Sequence, residues 1–210
     1  MTCPPSGPGL HRRGLLKTTA ALALLLALPG VARAAPSADQ AASFIRSLAD
    51  DLLKLLTSNL SGAELRKEIS GLIVRATNVD LIGRLVLGRY VRTATPQQLQ
   101  EYQQLFADYV LRSTVDRLQQ YDGNTYEVTG ARGVTDTDAL VDTAITRTGS
   151  APLRVVWRLR ETEGRFAVID VVVEGISLVV TQRDEFASVI QRNGFDGLLA
   201  QLRSQTTSAG

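Results

Sequence analysis

Cysteine and histidine are almost absent from this chain, which holds one of each, Cys3 and His11, both within its first 34 residues. Removal of that segment on export leaves a mature protein with neither. Ser-His-Asp and Cys-His nucleophilic catalysis are then excluded, as are His or Cys metal sites and any disulfide framework. Carboxylates, lysine, tyrosine and hydroxyls remain for chemistry, and neither a cofactor nor a metal is expected. A hydrophobic run long enough to span a bilayer is also lacking. Ala20 to Leu28 falls well short of the roughly 20 residues required, and Pro29-Gly30 interrupts it.

What stands at the start has the order of a secretory signal. The basic stretch His11-Arg12-Arg13-Gly14-Leu15-Leu16-Lys17 leads into that apolar run, and the small-residue stretch Ala32-Arg33-Ala34 follows it. Residues 1–34 are therefore read as a cleaved signal peptide, cut after Ala34 or one residue later. Arg12-Arg13-Gly14-Leu15-Leu16-Lys17 also has the form of a twin-arginine export signal, although an ordinary basic n-region accounts for it equally. Cys3 precedes the apolar run, so it is not placed as a lipoprotein anchor.

Cleavage changes the charge balance. It takes away Arg12, Arg13, Lys17 and Arg33 and no acidic residue, so 23 basic against 21 acidic becomes 19 against 21. No cationic surplus remains for phosphate neutralisation, and nucleic acid is not expected as a partner. About 175 mature residues suit a single domain, here 35–203, with a frayed polar tail at 204–210.

Two periodicities divide that domain. From Ser37 to about Tyr121 apolar residues recur at three and four positions; from about Thr125 to Val173 they alternate. The first part predicts helices at about Ser37–Leu56, Ala63–Arg75 and Asn78–Gly88, then a long one opening at Thr95-Pro96 and running to about Gln120. Ser61 and Glu64 have capping-box spacing, and proline suits the first position of a helix. The second part predicts four antiparallel strands, at about Tyr126–Ala131, Ala139–Thr148, Leu153–Glu161 and Arg165–Val173. Val141, Thr143 and Ile145, then Val155, Trp157 and Leu159, then Ile169, Val171 and Val173 would form one dry face. Helical period returns at about Leu178–Gln191 and, after Asn193-Gly194, at about Phe195–Arg203. Helices laid on one face of an antiparallel sheet make a two-layer α+β domain.

A pocket between such layers would be lined by Ile82, Leu85, Val86, Phe106, Tyr109, Val110, Val141, Ile145, Val155, Trp157, Ile169 and Val171. Nearly all are aliphatic. Periodicity alone favours a solid core for such a set, whereas an aliphatic pocket would take an apolar ligand. Asp170 and Glu174 offer the best enzymatic alternative: a carboxylate buried among Phe166, Val168 and Val172 would serve as a general base. With no histidine and no second inward carboxylate, Asp170 is read as a group that fixes the strand end. Arg154, Arg158 and Arg160 line the wet face of one strand, as a solvated surface or a docking surface for an acidic partner.

Val86-Leu87-Gly88-Arg89-Tyr90, Ala94-Thr95-Pro96-Gln97-Gln98 and the following Tyr102, Phe106 and Tyr109 resemble the MlaC family, the toluene-tolerance auxiliary component of ABC transport systems. Ile169-Asp170-Val171-Val172-Val173-Glu174-Gly175-Ile176-Ser177-Leu178-Val179 strengthens the resemblance, as do Gly194-Phe195-Asp196-Gly197-Leu198 and Gln201-Leu202. It covers essentially all of the mature chain. The resemblance implies an NTF2-like fold with a curved four-stranded sheet, and a monomeric, non-enzymatic periplasmic carrier that holds a diacyl phospholipid by its acyl tails. It also implies partners: an outer-membrane lipoprotein complex, and an inner-membrane ABC transporter with an MCE-type ring protein. On this footing the twelve apolar residues become cavity lining rather than solid core. The chain departs from the family in its paired arginines and in Ile169, where an aromatic is common. A hopanoid carrier of the same family, an NTF2-like enzyme and an adaptor with a filled core stay open.

Overall fold

The computed structural model describes residues 37–118, 123, 125–146 and 149–207; the signal segment lies outside them. Four helices come first: α1 (Ala38–Leu56), α2 (Gly62–Ala76), α3 (Val79–Leu87) and α4 (Pro96–Leu118), with a 3-10 turn at Gly88–Arg92. Strands β1 (Thr125–Gly133), β2 (Asp138–Thr146), β3 (Leu153–Thr162), β4 (Arg165–Val173) and β5 (Ile176–Ser177) follow, and α5 (Leu178–Thr207) ends the chain. None of the described helices is long and apolar enough to cross a membrane.

Each helix starts where a side chain takes up free backbone N–H groups. Ser37 accepts from Gln40 at the head of α1. At α2 the expected capping box is present: the Ser61 N–H donates to Glu64 at 3.1 Å and the Glu64 N–H to Ser61 at 3.4 Å. Asn78 caps α3 through the Leu81 N–H, and Thr95 and Gln98 exchange a reciprocal pair at the head of α4.

The sheet is open and antiparallel, in the order β1-β2-β3-β4-β5. It has five strands where four were expected. Glu163-Gly164 and Glu174-Gly175 both place two successive residues at positive φ, the geometry of a tight two-residue hairpin turn. The first joins β3 to β4, and the second returns the chain as β5, which pairs Val172 with Ser177 and Val173 with Ile176.

Two bulges bend the sheet, one at Thr129 in β1 and one at Ile169 in β4. The second alters the expected dry face. Leu159 faces Val168 while Arg158 faces Asp170, so Ile169 is an extra residue and the inward alternation passes from Val168 to Val171. Beside this bulge the Val168 carbonyl accepts from the Asn78 N–H at 3.3 Å, pinning the α2–α3 junction to the sheet.

Two packed clusters hold the layers. One joins α3, α4 and α5 through Val86, Leu87, Tyr102, Phe106, Phe186, Leu198 and Leu202. Within it Tyr102 stacks on Phe106 at 5.4 Å, Phe186 meets both rings edge-on, and the Tyr102 hydroxyl donates to the Gly83 carbonyl. The other seats α1 on the sheet through Ala41, Ile45, Ala139, Val141, Leu159 and Val168. The two helices expected at the C-terminus are both present within α5, which breaks at Gly194, whose φ of 71° and ψ of 176° are not helical. Helix α5 continues through Ser204 to Thr207, into the stretch read as a frayed tail.

Candidate lipid-binding cavity

Between the two clusters the layers do not close. A cavity of about 650 Å³ remains, walled by α1, α2, α3, α4, the start of α5 and the inward face of the sheet. Helices α1 and α2 contribute Leu48, Leu52, Leu53, Leu56, Leu72 and Ile73, while the sheet contributes Ile145, Trp157, Val168 and Val171. This size lies within the usual range of ligand pockets, and aliphatic walls with few polar groups suit an apolar guest.

Eight of the twelve expected residues line this space: Ile82, Val86, Phe106, Tyr109, Val110, Ile145, Trp157 and Val171. Four do not. Leu85 packs instead against the α3–α4–α5 cluster. Val141 has the right face but the wrong end of β2, where α1 covers it and it is fully buried among Ile45, Leu159 and Val168. Val155 is buried away from the cavity, its carbonyl accepting from the Thr143 hydroxyl at 3.1 Å. Ile169 occupies the bulge and is fully buried, and Val168 lines the wall in its place.

Helix α1 lines the cavity although none of the twelve expected residues lies on it. Asp51-Leu52-Leu53-Lys54-Leu55-Leu56 carries more leucine than one packed stripe requires, a sign that a second face is also turned to apolar surroundings. Tyr126 of β1 ties this helix down: its hydroxyl lies 2.7 Å from Asp50 Oδ1 and 3.1 Å from the Arg46 carbonyl. Burial and then the Asp50 carboxylate push that phenol up to about 12.

The polar groups on the wall are mostly engaged with the protein itself. Trp157 Nε1 donates to Thr143 Oγ1 at 3.0 Å. The Tyr109 hydroxyl donates to Gln182 Oε1 at 3.1 Å, and the Gln182 amide in turn donates to Glu185 at 2.9 Å. Asp170 reaches the cavity, but its oxygens accept from Ser177 Oγ at 2.6 Å and from the N–H groups of Val171 and Val179. A carboxylate accepting three hydrogen bonds, two of which tie β4 to β5 and to the head of α5, is a structural fastener.

On the outer face of the sheet, Arg158 and Arg160 both grip the buried carboxylate of Asp138, and Arg132 and Arg154 lie against Asp142. The three strand arginines are therefore partnered within the sheet. No group of three or more His, Cys, Asp or Glu able to hold a metal ion occurs among the described residues.

The sequence profile described as MlaC protein matches residues 46–204. The toluene tolerance protein ttg2D of Pseudomonas putida is 32% identical over 108 residues, 51% of this chain and 50% of that protein, so the match spans about half the length of that relative. The intermembrane phospholipid transport system binding protein MlaC of Haemophilus influenzae is 20% identical over 172 residues, covering 78% of this chain and 80% of that protein. Among solved structures, a phospholipid-binding protein from Ralstonia solanacearum, in complex with a phospholipid, superposes with a TM-score of 0.69 at 24% identity. That match covers 80% of this chain and 97% of the other, and it bears on the fold.

Proposed function

The chain belongs to the MlaC protein family, and from that premise we propose that it is a periplasmic carrier that encloses the acyl tails of a phospholipid in its cavity. One observation carries this reading: a space of about 650 Å³ kept open between two well-packed clusters and walled mainly by leucine, isoleucine and valine. Apolar side chains that could close on one another instead leave room for an apolar guest.

The energetics suit transfer rather than storage. Each buried methylene is worth about 0.8 kcal/mol against water, so two long acyl chains exposed to solvent would cost on the order of 20 kcal/mol. A carrier has to match the bilayer, not exceed it. Dry walls with a few satisfied polar groups do that, because the tails meet an environment close to the one they leave. The headgroup then stays at the solvent-facing end, where the exposed residues Arg117, Thr181 and Glu185 lie.

In this reading the lipid passes between an outer-membrane lipoprotein complex and an inner-membrane ABC transporter with its MCE-type ring. Catalysis is not part of it: of the two carboxylates at the cavity wall, Asp170 is engaged in holding β4 to β5 and α5, and Glu185 lies exposed.

Native mass spectrometry of the protein purified from a periplasm, followed by lipid extraction, tests the proposal. A bound mass matching a diacyl phospholipid is expected. Bare protein that also rejects added phospholipid would overturn it.

A further inference from the structure

The cavity mouth carries two opposite charges that do not neutralise each other. Arg117, in the last turn of α4, and Glu185, on α5, both line the cavity and both are exposed. Arg117 makes no ion pair within 4.0 Å with Glu185 or with any other described residue. Its neighbour Asp116 is already engaged with Arg66.

Glu185 is held in position. Gln182 donates its amide to the Glu185 carboxylate at 2.9 Å, and the Gln182 oxygen is fixed in turn by the Tyr109 hydroxyl at 3.1 Å. Tyr109 lies within electrostatic reach of both charges: burial raises its hydroxyl pKa, Glu185 adds to that rise and Arg117 opposes it. The cavity rim thus carries a guanidinium with no ion-pair partner among the described residues and an oriented carboxylate, both acting on Tyr109.

A guanidinium alone would favour any phosphate, and most of all an anionic lipid. Adding a carboxylate to the same cavity rim penalises a headgroup that offers only negative charge and favours one with a cation next to its phosphate. Resting on the carrier reading above, we propose that Arg117 and Glu185 together select a zwitterionic phospholipid, its phosphate at Arg117 and its primary ammonium at Glu185.

The test uses delipidated protein and vesicles of equal phosphatidylethanolamine and phosphatidylglycerol with matched acyl chains, the captured lipid being extracted and quantified by mass spectrometry. Wild type is expected to enrich the ethanolamine lipid roughly two- to fivefold, the range that exposed charge pairs support. Glu185→Gln, which can still accept from Gln182, brings that ratio toward one, and Arg117→Gln reduces capture of both lipids. Equal capture by wild type, or a ratio that Glu185→Gln does not move, would overturn the assignment. Wild type that captures neither lipid would overturn the carrier reading with it, and total captured lipid tells the two failures apart.

Discussion

Trp157 on β3 and Thr143 on β2 are diagonal neighbours on the cavity wall, the indole N–H donating to the threonine hydroxyl at 3.0 Å. The hydroxyl in turn donates a hydrogen bond to the Val155 carbonyl. Trp157 is the only tryptophan in the chain, so its emission reports on the cavity alone. Stripping the lipid should shift that emission to longer wavelength and refilling should reverse it. Thr143→Val leaves a half-buried indole N–H without an acceptor and should cost about 1–3 kcal/mol in urea unfolding.

Val110 and Val141 separate lining from core. Val110 is half-buried on α4 and faces the cavity, whereas Val141 is fully buried beneath α1. Val110→Trp is expected to occupy space the guest needs and lower lipid retention about tenfold, equivalent to ~1.4 kcal/mol. Val141→Ala should cost about 2 kcal/mol of stability through the cavity it creates, with lipid content unchanged at temperatures below its melting transition. Parallel thermal melts and lipid extraction check both.

Asp138 should make stability depend on pH. Hydrogen bonds from Arg160, and after them from Arg158, hold its carboxyl below the ordinary value of 3.8 in spite of burial, which acts the other way. A carboxyl whose folded pKa is depressed contributes stability that is present above 3.8 and is lost as pH falls below it. Asp138→Asn should therefore be less stable than wild type by about 1.5–3 kcal/mol at pH 7. The gap should narrow in acid below that value, as urea midpoints at neutral and acidic pH would show.

Gly194 tests the break in α5. Its φ of 71° with ψ of 176° lies in a region essentially closed to other residues, yet a Cβ built there meets nothing within 4 Å. The cost of Gly194→Ala is then backbone strain alone, about 1–3 kcal/mol. Calorimetry should show Tm falling by roughly 2–4 °C per kcal/mol. An unchanged Tm would mean that the break is not required.

The helical half was nearly all legible in the sequence, because capping is a local interaction. Ser37, Ser61, Asn78 and Thr95 each cap the helix that the periodicity begins beside them. β5 has a sequence signal of its own: Glu174-Gly175 repeats the Glu163-Gly164 dipeptide of the preceding hairpin, and both adopt positive φ. The cavity was legible by face and not by position. Ile145 and Val141 are two turns of one alternation, yet one meets the cavity and the other lies beneath α1.

By itself the sequence determined the order of elements, their caps and turns, the absence of histidine and cysteine chemistry after residue 34, and which faces are apolar. These follow from neighbours a few residues apart and from composition. Only the tertiary structure decided that Ile169 bulges out of register, that Val168 takes its place on the wall, and that α1 closes one end of the sheet while leaving the other open. Those outcomes depend on elements far apart in the chain, such as the α2–α3 junction docking on the Val168 carbonyl. A two-residue period specifies which side of a strand is dry, and it carries no information about what will cover that side.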